Sequence, residues 1–276
     1  MDRLLLIDGS NLLFQMYFGM PTRIVNARGE AIHGTLGFVG ALLKMIRMVQ
    51  PDCVGVLFDG EHENPRTALD ANYKVNRVEE ERDSPFSQLS DIYRALEHLR
   101  LCHAETVDRE TDDWMAGYAK RYGGEYDIVI ASMDSDFFQL IAPHVRILRY
   151  RGKGSILCDE VYFREKFGIE PRQYADFKSL TGDQADNIPG VPGVGIKTAA
   201  KLMREFGSLE NLLEHREEIV KPSVRAAVAE NAQRIQLNRR LIALEGAQEL
   251  PFLPQKMRWE DTGATTVQVL REIGVY

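Results

Sequence analysis

RLLLIDGSNLLF, residues 3–14, begins with a short apolar run that ends on an aspartate, Asp8. The construction recurs. CVGVLFD (53–59) ends on Asp59, and the apolar run 127–132 leads into SMDSDF, which carries Asp134 and Asp136. Short apolar runs of this kind, together with 145–149, predict buried strands. Helical patterns lie between them. Thr35–Val49, for example, spaces Leu36, Val39, Leu42, Leu43 and Ile46 at helical intervals. Strands alternating with helices predict an α/β chain with a mostly parallel sheet and helices on both faces. Ligands of such sheets sit beyond the carboxyl ends of the strands, where Asp8, Asp59 and Asp134 fall.

Further acids punctuate the chain: Glu110, Asp112 and Asp113 in RETDDW, and Asp183 and Asp186 in LTGDQADN. A single aspartate at a strand end is most simply a cap or turn residue, and Glu110 with Asp113 could simply complement a helix dipole. Together the clusters ask for a common partner. Divalent cations neutralise converging carboxylates best, and hard oxygen donors select magnesium or manganese. Two such ions in one cage suit phosphodiester hydrolysis.

With 276 residues the chain can hold one large domain or two small ones. No apolar run approaches the length of a membrane span, and Met1 leads straight into a strand, so no leader is expected. Cys53, Cys102 and Cys158 are far apart and lack metal-binding spacing, which predicts a reduced, cytoplasmic setting. The net charge of −7 argues against nucleic acid at first sight. Once the nine clustered acids are neutralised, however, the rest of the chain is slightly positive, so distribution matters more than the total. Basic residues gather at Arg146, Arg149, Arg151 and Lys153 and from Lys197 to Arg204.

Residues 61–86 are highly charged and cannot supply a core face, so they are expected to project from the sheet. From about residue 159 short helices take over, with Asp159 as a cap and Pro171 in a first turn. A polar loop is expected near 246–263. Within IPGVPGVGIKTAAKLMREFG, Gly190, Gly193 and Gly195 allow a tight turn before a helix, whose first amides can hold a phosphate without reading a base. Lys197 and Thr198 can add side-chain contacts.

Taken together, DGSNLLF, LFDG, RTALDANYKVNR, ETDDWMAGYA, SMDSDFFQL and GDQADNIPGVPGVGIKTA resemble the structure-specific 5′ nucleases. That family includes flap endonucleases, phage 5′ exonucleases and the 5′-nuclease domain of bacterial DNA polymerase I. The likeness runs from about residue 3 to 215. It implies a PIN-like α/β nuclease domain (1–158) with a helical arch at about 61–100, and a helical helix–hairpin–helix subdomain with C-terminal helices (159–276).

The resemblance also implies roles. Asp8, Asp59, Glu110 and Asp112 would hold one Mg²⁺ or Mn²⁺. Asp134, Asp136 and Asp183 would complete the second, with Asp113 and Asp186 supporting through water. Arg66, Tyr73, Lys74 and Arg77 match the arch, where Arg66 and Lys74 would clamp the scissile phosphate and Arg77 would contact the strand. Backbone carbonyls of Leu180, Thr181, Pro189, Val191 and Val194 would bind K⁺. The implied partner is DNA with a 5′ flap, nick or overhang, including RNA-primed ends, cleaved by a monomer, either stand-alone or an excised domain. Three departures bear on the arch and the 5′ end: Gln15 where the family often has Arg, Pro65 in place of an aromatic, and the acidic VEEER at 78–82. They leave open a weak or inactive DNA-junction binder, and the cage alone would also allow a PIN-type ribonuclease.

Overall fold

A computed structural model describes residues 1–60, 65–75 and 84–276. Its centre is a six-stranded sheet in the order β3-β2-β1-β4-β5-β6. The strands are β1 (Arg3–Asp8), β2 (Cys53–Phe58), β3 (Cys102–Glu105), β4 (Asp127–Ala131), β5 (Val145–Arg149) and β6 (Ile156–Cys158). All neighbours run parallel except β5 and β6. β1 and β2 are buried on both faces, which is why they read as near-continuous apolar runs. The edge strand β3 carries mixed residues, and β6 is only three residues long, so neither leaves such a pattern.

One face is covered by α1 (Gly9–Gly19), α2 (His33–Val49) and α3 (Leu89–His98), which share a core with Leu5, Ile7, Val54, Val56 and Val129. α4 (Thr111–Tyr122) covers the other face through Met115 and Tyr118, together with Leu4, Leu6, Ile128 and Ile130. Gly9 is where α1 meets the sheet. A Cβ there would lie 2.5 Å from the Phe58 ring, so only glycine permits the approach. The core of α4 runs on into the C-terminal helices α5 (Glu160–Phe167), α6 (Tyr174–Thr181), α7 (Ile196–Phe206), α8 (Leu209–Glu214), α9 (Pro222–Glu230) and α10 (Ala232–Ile242). Asp159 caps α5 by accepting the Tyr162 amide, as its sequence position predicts.

Within the span expected for the arch, α3 is a core helix with Ile92, Ala95 and Leu96 fully buried. The C-terminal end of the chain returns to the sheet. Met257 packs under Gly55, Arg258 bridges to Cys53, and α11 (Thr266–Glu272) packs on α2 and α3. The described part of the excursion is a 3₁₀ turn at Pro65–Ala68 followed by turns to residue 75. Arg77 and the acidic run at 78–82 lie outside the described residues. Among the described residues no helix is long and apolar enough to cross a membrane.

Candidate active site

Strand order reverses between β1 and β4, so the ends of these two strands border the sheet's natural ligand crevice. The register pairs Ile7 with Ala131, which sets Asp8 opposite Ser132. The Ser132 hydroxyl donates to Asp8 Oδ2 at 2.8 Å, and the Asn11 amide donates to Asp8 Oδ1 at 2.9 Å. Both oxygens are aimed, and each keeps a lone pair. Ser132 Oγ also accepts the Asp134 amide at 3.0 Å, while Asp134 Oδ1 accepts the Asp136 amide at 2.8 Å. Asn11 Oδ1 accepts the Met133 amide at 3.0 Å. Asp59 receives the Thr111 amide on Oδ1 at 2.8 Å and donates its own amide to Ser10 Oγ, also at 2.8 Å. β2 is thereby tied to the start of α4, which carries Glu110, Asp112 and Asp113. Ser10, Asn11 and Ser132 were not singled out in the sequence, although all three lie within the motifs quoted.

Mutual repulsion records how closely the acids gather. Burial and then Asp59 push the Asp8 carboxyl up to about 7. Burial, Asp134 and Glu110 push Asp112 well above the usual range. Asp136 is pushed up to about 7, burial and Asp134 outweighing the Lys178 ammonium. Asp134 thus acts on Asp8, Asp112 and Asp136 and sits between the two halves of the cluster. In the second half, oxygens of Asp136, Asp183 and Asp186 lie within 4.8 Å of one another. Asp186 stands in this group directly. An all-carboxylate donor set at this spacing fits a hard divalent cation.

The chain's own cations lie against these acids. Arg66 and Lys74 both contact Glu110, and Arg66 Nη2 donates to Asp113 Oδ1 at 3.1 Å. Burial would raise the Glu110 carboxyl, but Lys74 and Arg66 outweigh it and hold it low. Tyr73 is a buried anchor packed with Ala175, Ile188, Leu241 and Ile242, its hydroxyl 3.4 Å from Glu110 Oε2. Burial raises its phenol, which stays protonated. Lys178, not singled out in the sequence, bridges Asp136 and Asp183. Gln15 turns inward, donating to the Tyr150 carbonyl at 2.7 Å. Arg146 is bound to Asp127 at 2.5 Å, so it is a structural partner of the sheet.

Residues 70–74 are fastened to the GDxxDN loop and to α10. The Lys74 amide donates to the Asp186 carbonyl at 3.0 Å, Asn187 Nδ2 to the Asn72 carbonyl at 2.8 Å, and Arg234 Nη1 to Asp70 Oδ2 at 2.7 Å. A cavity of about 360 Å³ opens beside these contacts rather than at the acids, lined by Asp70, Asn72, Gln184, Asn187 and Arg234 among others.

In the hairpin, Gly193 (φ +79°) and Gly195 face open space, and Lys197 is exposed beside a half-buried Thr198. Gly190 differs. A Cβ there would lie 2.2 Å from the Thr181 carbonyl oxygen, so its task is internal packing. Of the five carbonyls expected at K⁺, Leu180 accepts the Val191 amide at 2.8 Å, and Val191 accepts the Val194 amide at 3.0 Å. Pro189 accepts Asn238 Nδ2 at 2.7 Å. Each keeps a second lone pair.

The 5′-3′ exonuclease N-terminal resolvase-like domain matches residues 3–168, and the 5′-3′ exonuclease C-terminal SAM fold matches 169–264. The thermostable DNA polymerase I of Thermus thermophilus is 37% identical over 240 residues, covering 87% of this chain and 28% of that protein. DNA polymerase I of Deinococcus radiodurans is 35% identical over 214 residues, covering 77% and 22%. The chain therefore spans about a quarter of the length of these relatives. Among solved structures, a bacteriophage T5 D15 flap endonuclease complex with DNA and metal ions superposes with a TM-score of 0.72 at 22% identity, covering 88% of this chain and 89% of that one. The catalytic core of Rad2 with DNA substrate gives 0.62 at 14%, covering 99% and 93%. These two share the fold. Since the two domain families together account for nearly the whole length, and their junction falls where the sheet gives way to the hairpin helices, the chain belongs to the 5′-3′ exonuclease family.

Proposed function

We propose that this nuclease hydrolyses phosphodiesters in DNA bearing a 5′ flap, nick or overhang, with Mg²⁺ or Mn²⁺ held by the acid cluster. The observation that carries the reading is that acids at the carboxyl ends of β1, β2 and β4 face one another and adjoin Asp136, Asp183 and Asp186, whose oxygens lie within 4.8 Å of each other. Asp8, Asp59, Glu110 and Asp112 would hold one ion. Asp136, Asp183 and Asp186 would hold the other, with Asp134 between them and Asp113 in support. When bound, a pair of divalent ions supplies the Lewis acidity that two-metal phosphodiester hydrolysis requires.

The chain's own groups do the rest. Ser132 and Asn11 keep the Asp8 carboxylate aimed, and Ser10 holds the backbone of Asp59 in place. Arg66 and Lys74 stand ready to neutralise charge developing on the phosphate oxygens. Exposed Lys197 and the open turn at Gly193 and Gly195 present the start of α7 to a backbone phosphate, a contact that follows structure rather than sequence. K⁺ at the carbonyls of Leu180, Thr181, Pro189, Val191 and Val194 would stiffen that turn. RNA-primed ends, a monomeric state and a cytoplasmic setting belong to the same proposal.

The test is a panel of end-labelled flap, nick, overhang and hairpin DNAs, with a single-stranded RNA of matched sequence, with and without chelator. Cleavage at the branch, leaving 5′-phosphate and 3′-hydroxyl and abolished by chelation, is expected. Tight junction binding without cleavage would instead mark a binding protein, and preference for the RNA a ribonuclease.

A further inference from the structure

Lys178 lies on α6 with its side chain 6% exposed, and its ammonium donates to both Asp136 and Asp183. These are two of the three acids whose oxygens gather within 4.8 Å. The ring of Tyr174, 5.9 Å from Nζ, closes another side. The ammonium thus occupies the space that a cation shared by those carboxylates would need.

Its origin distinguishes it from the other basic groups at the acids. Arg66 and Lys74 come from the excursion, whereas Lys178 is carried by a helix packed in the core. It remains beside the site whatever the arch does. Without a counter-charge, Asp136 and Asp183 would face each other in a poorly solvated corner, a costly arrangement. A divalent ion at the same point would meet the ammonium as a like charge at close range. The flexible lysine stem allows the ammonium to leave by rotation alone.

We propose that Lys178 is the built-in counter-ion of the second cation site: it holds Asp136 and Asp183 together before the ion arrives, is displaced when the ion enters, and so sets the affinity of that half. The proposal rests on the two-ion reading above and adds a competition that this reading does not require.

Calorimetric titration of the DNA-free full chain with Mn²⁺ tests it. Wild type should take up two ions with distinct affinities, and Lys178→Met should bind the weaker one on the order of 10-fold more tightly, because no ammonium has to be displaced. Two ions with an unchanged or weakened second affinity in Lys178→Met overturn this proposal alone. Fewer than two ions in both proteins overturns the two-ion reading and the proposal with it. The wild-type chain supplies a readout independent of how the variant folds. The ¹⁵Nζ resonance of Lys178 should shift on adding Mg²⁺, with a midpoint at the weaker affinity, and an Nζ signal indifferent to saturating Mg²⁺ contradicts displacement.

Discussion

The Ser132 hydroxyl donates to Asp8 Oδ2 at 2.8 Å across the seam between β1 and β4, and the same oxygen accepts the Asp134 amide. One small side chain thereby aims acids from two strands. Ser132→Ala leaves a buried carboxylate oxygen and an amide without their partner. Outer groups that orient metal ligands are worth roughly 10–100-fold in affinity or activity, and a loss of that size is expected here. Cleavage measured across a Mg²⁺ series checks it, and a variant indistinguishable from wild type at every concentration contradicts the role.

The raised carboxyls make metal-free stability depend on pH. Asp8 titrates near 7 in the folded chain, pushed up by burial and by Asp59, against roughly 4 unfolded. Its contribution is full below the unfolded value and is lost as pH rises through about 7. Asp136 acts in the same sense. Glu110 and Asp183 act oppositely: burial raises each, but Lys74 with Arg66, and Lys178, hold them low, so their contribution is lost only at more acid pH. Chelator-treated protein should therefore resist urea better at pH 5.5 than at pH 8, with about 2 kcal/mol of the difference from Asp8. Asp8→Asn should flatten that dependence, and an unaltered pH slope in the variant would count against it.

The pair between Arg234 and Asp70 holds the segment that carries Tyr73 and Lys74 to α10. Arg234→Asp should lower turnover on a flap substrate about 2- to 5-fold, the scale of a partly exposed pair, while leaving duplex affinity nearly unchanged. Adding Asp70→Arg should restore turnover. Failure of the double variant to recover would show that the pair does not position Lys74.

Gly9→Ala drives a methyl group into the Phe58 ring. Overpacking of this kind costs about 1–3 kcal/mol. The urea midpoint should fall accordingly, and a variant as stable as wild type would show that Phe58 yields without strain.

The buried central strands were legible because parallel strands covered on both faces are almost wholly apolar and here run into aspartates. β3 and β6 were not: β3 is a short edge strand of mixed residues, and β6 has only three residues, too few for a pattern. α3 is hidden in the sequence because it follows a charged excursion, although Ile92, Ala95 and Leu96 mark its buried face. At the site the acids were plain from their types and spacing. Ser132 and Lys178 were not, because their partners depend on strand register and on where a helix face comes to rest. Arg146 belonged to a basic run, and only its seat beside Asp127 shows that it serves the sheet.

Anomalous scattering from a crystal soaked in Mn²⁺ tests the central claim most directly. The account predicts two peaks, one among Asp8, Asp59, Glu110 and Asp112 and one among Asp136, Asp183 and Asp186, with Asp134 between them. A fully soaked crystal with no peak among these side chains would contradict it.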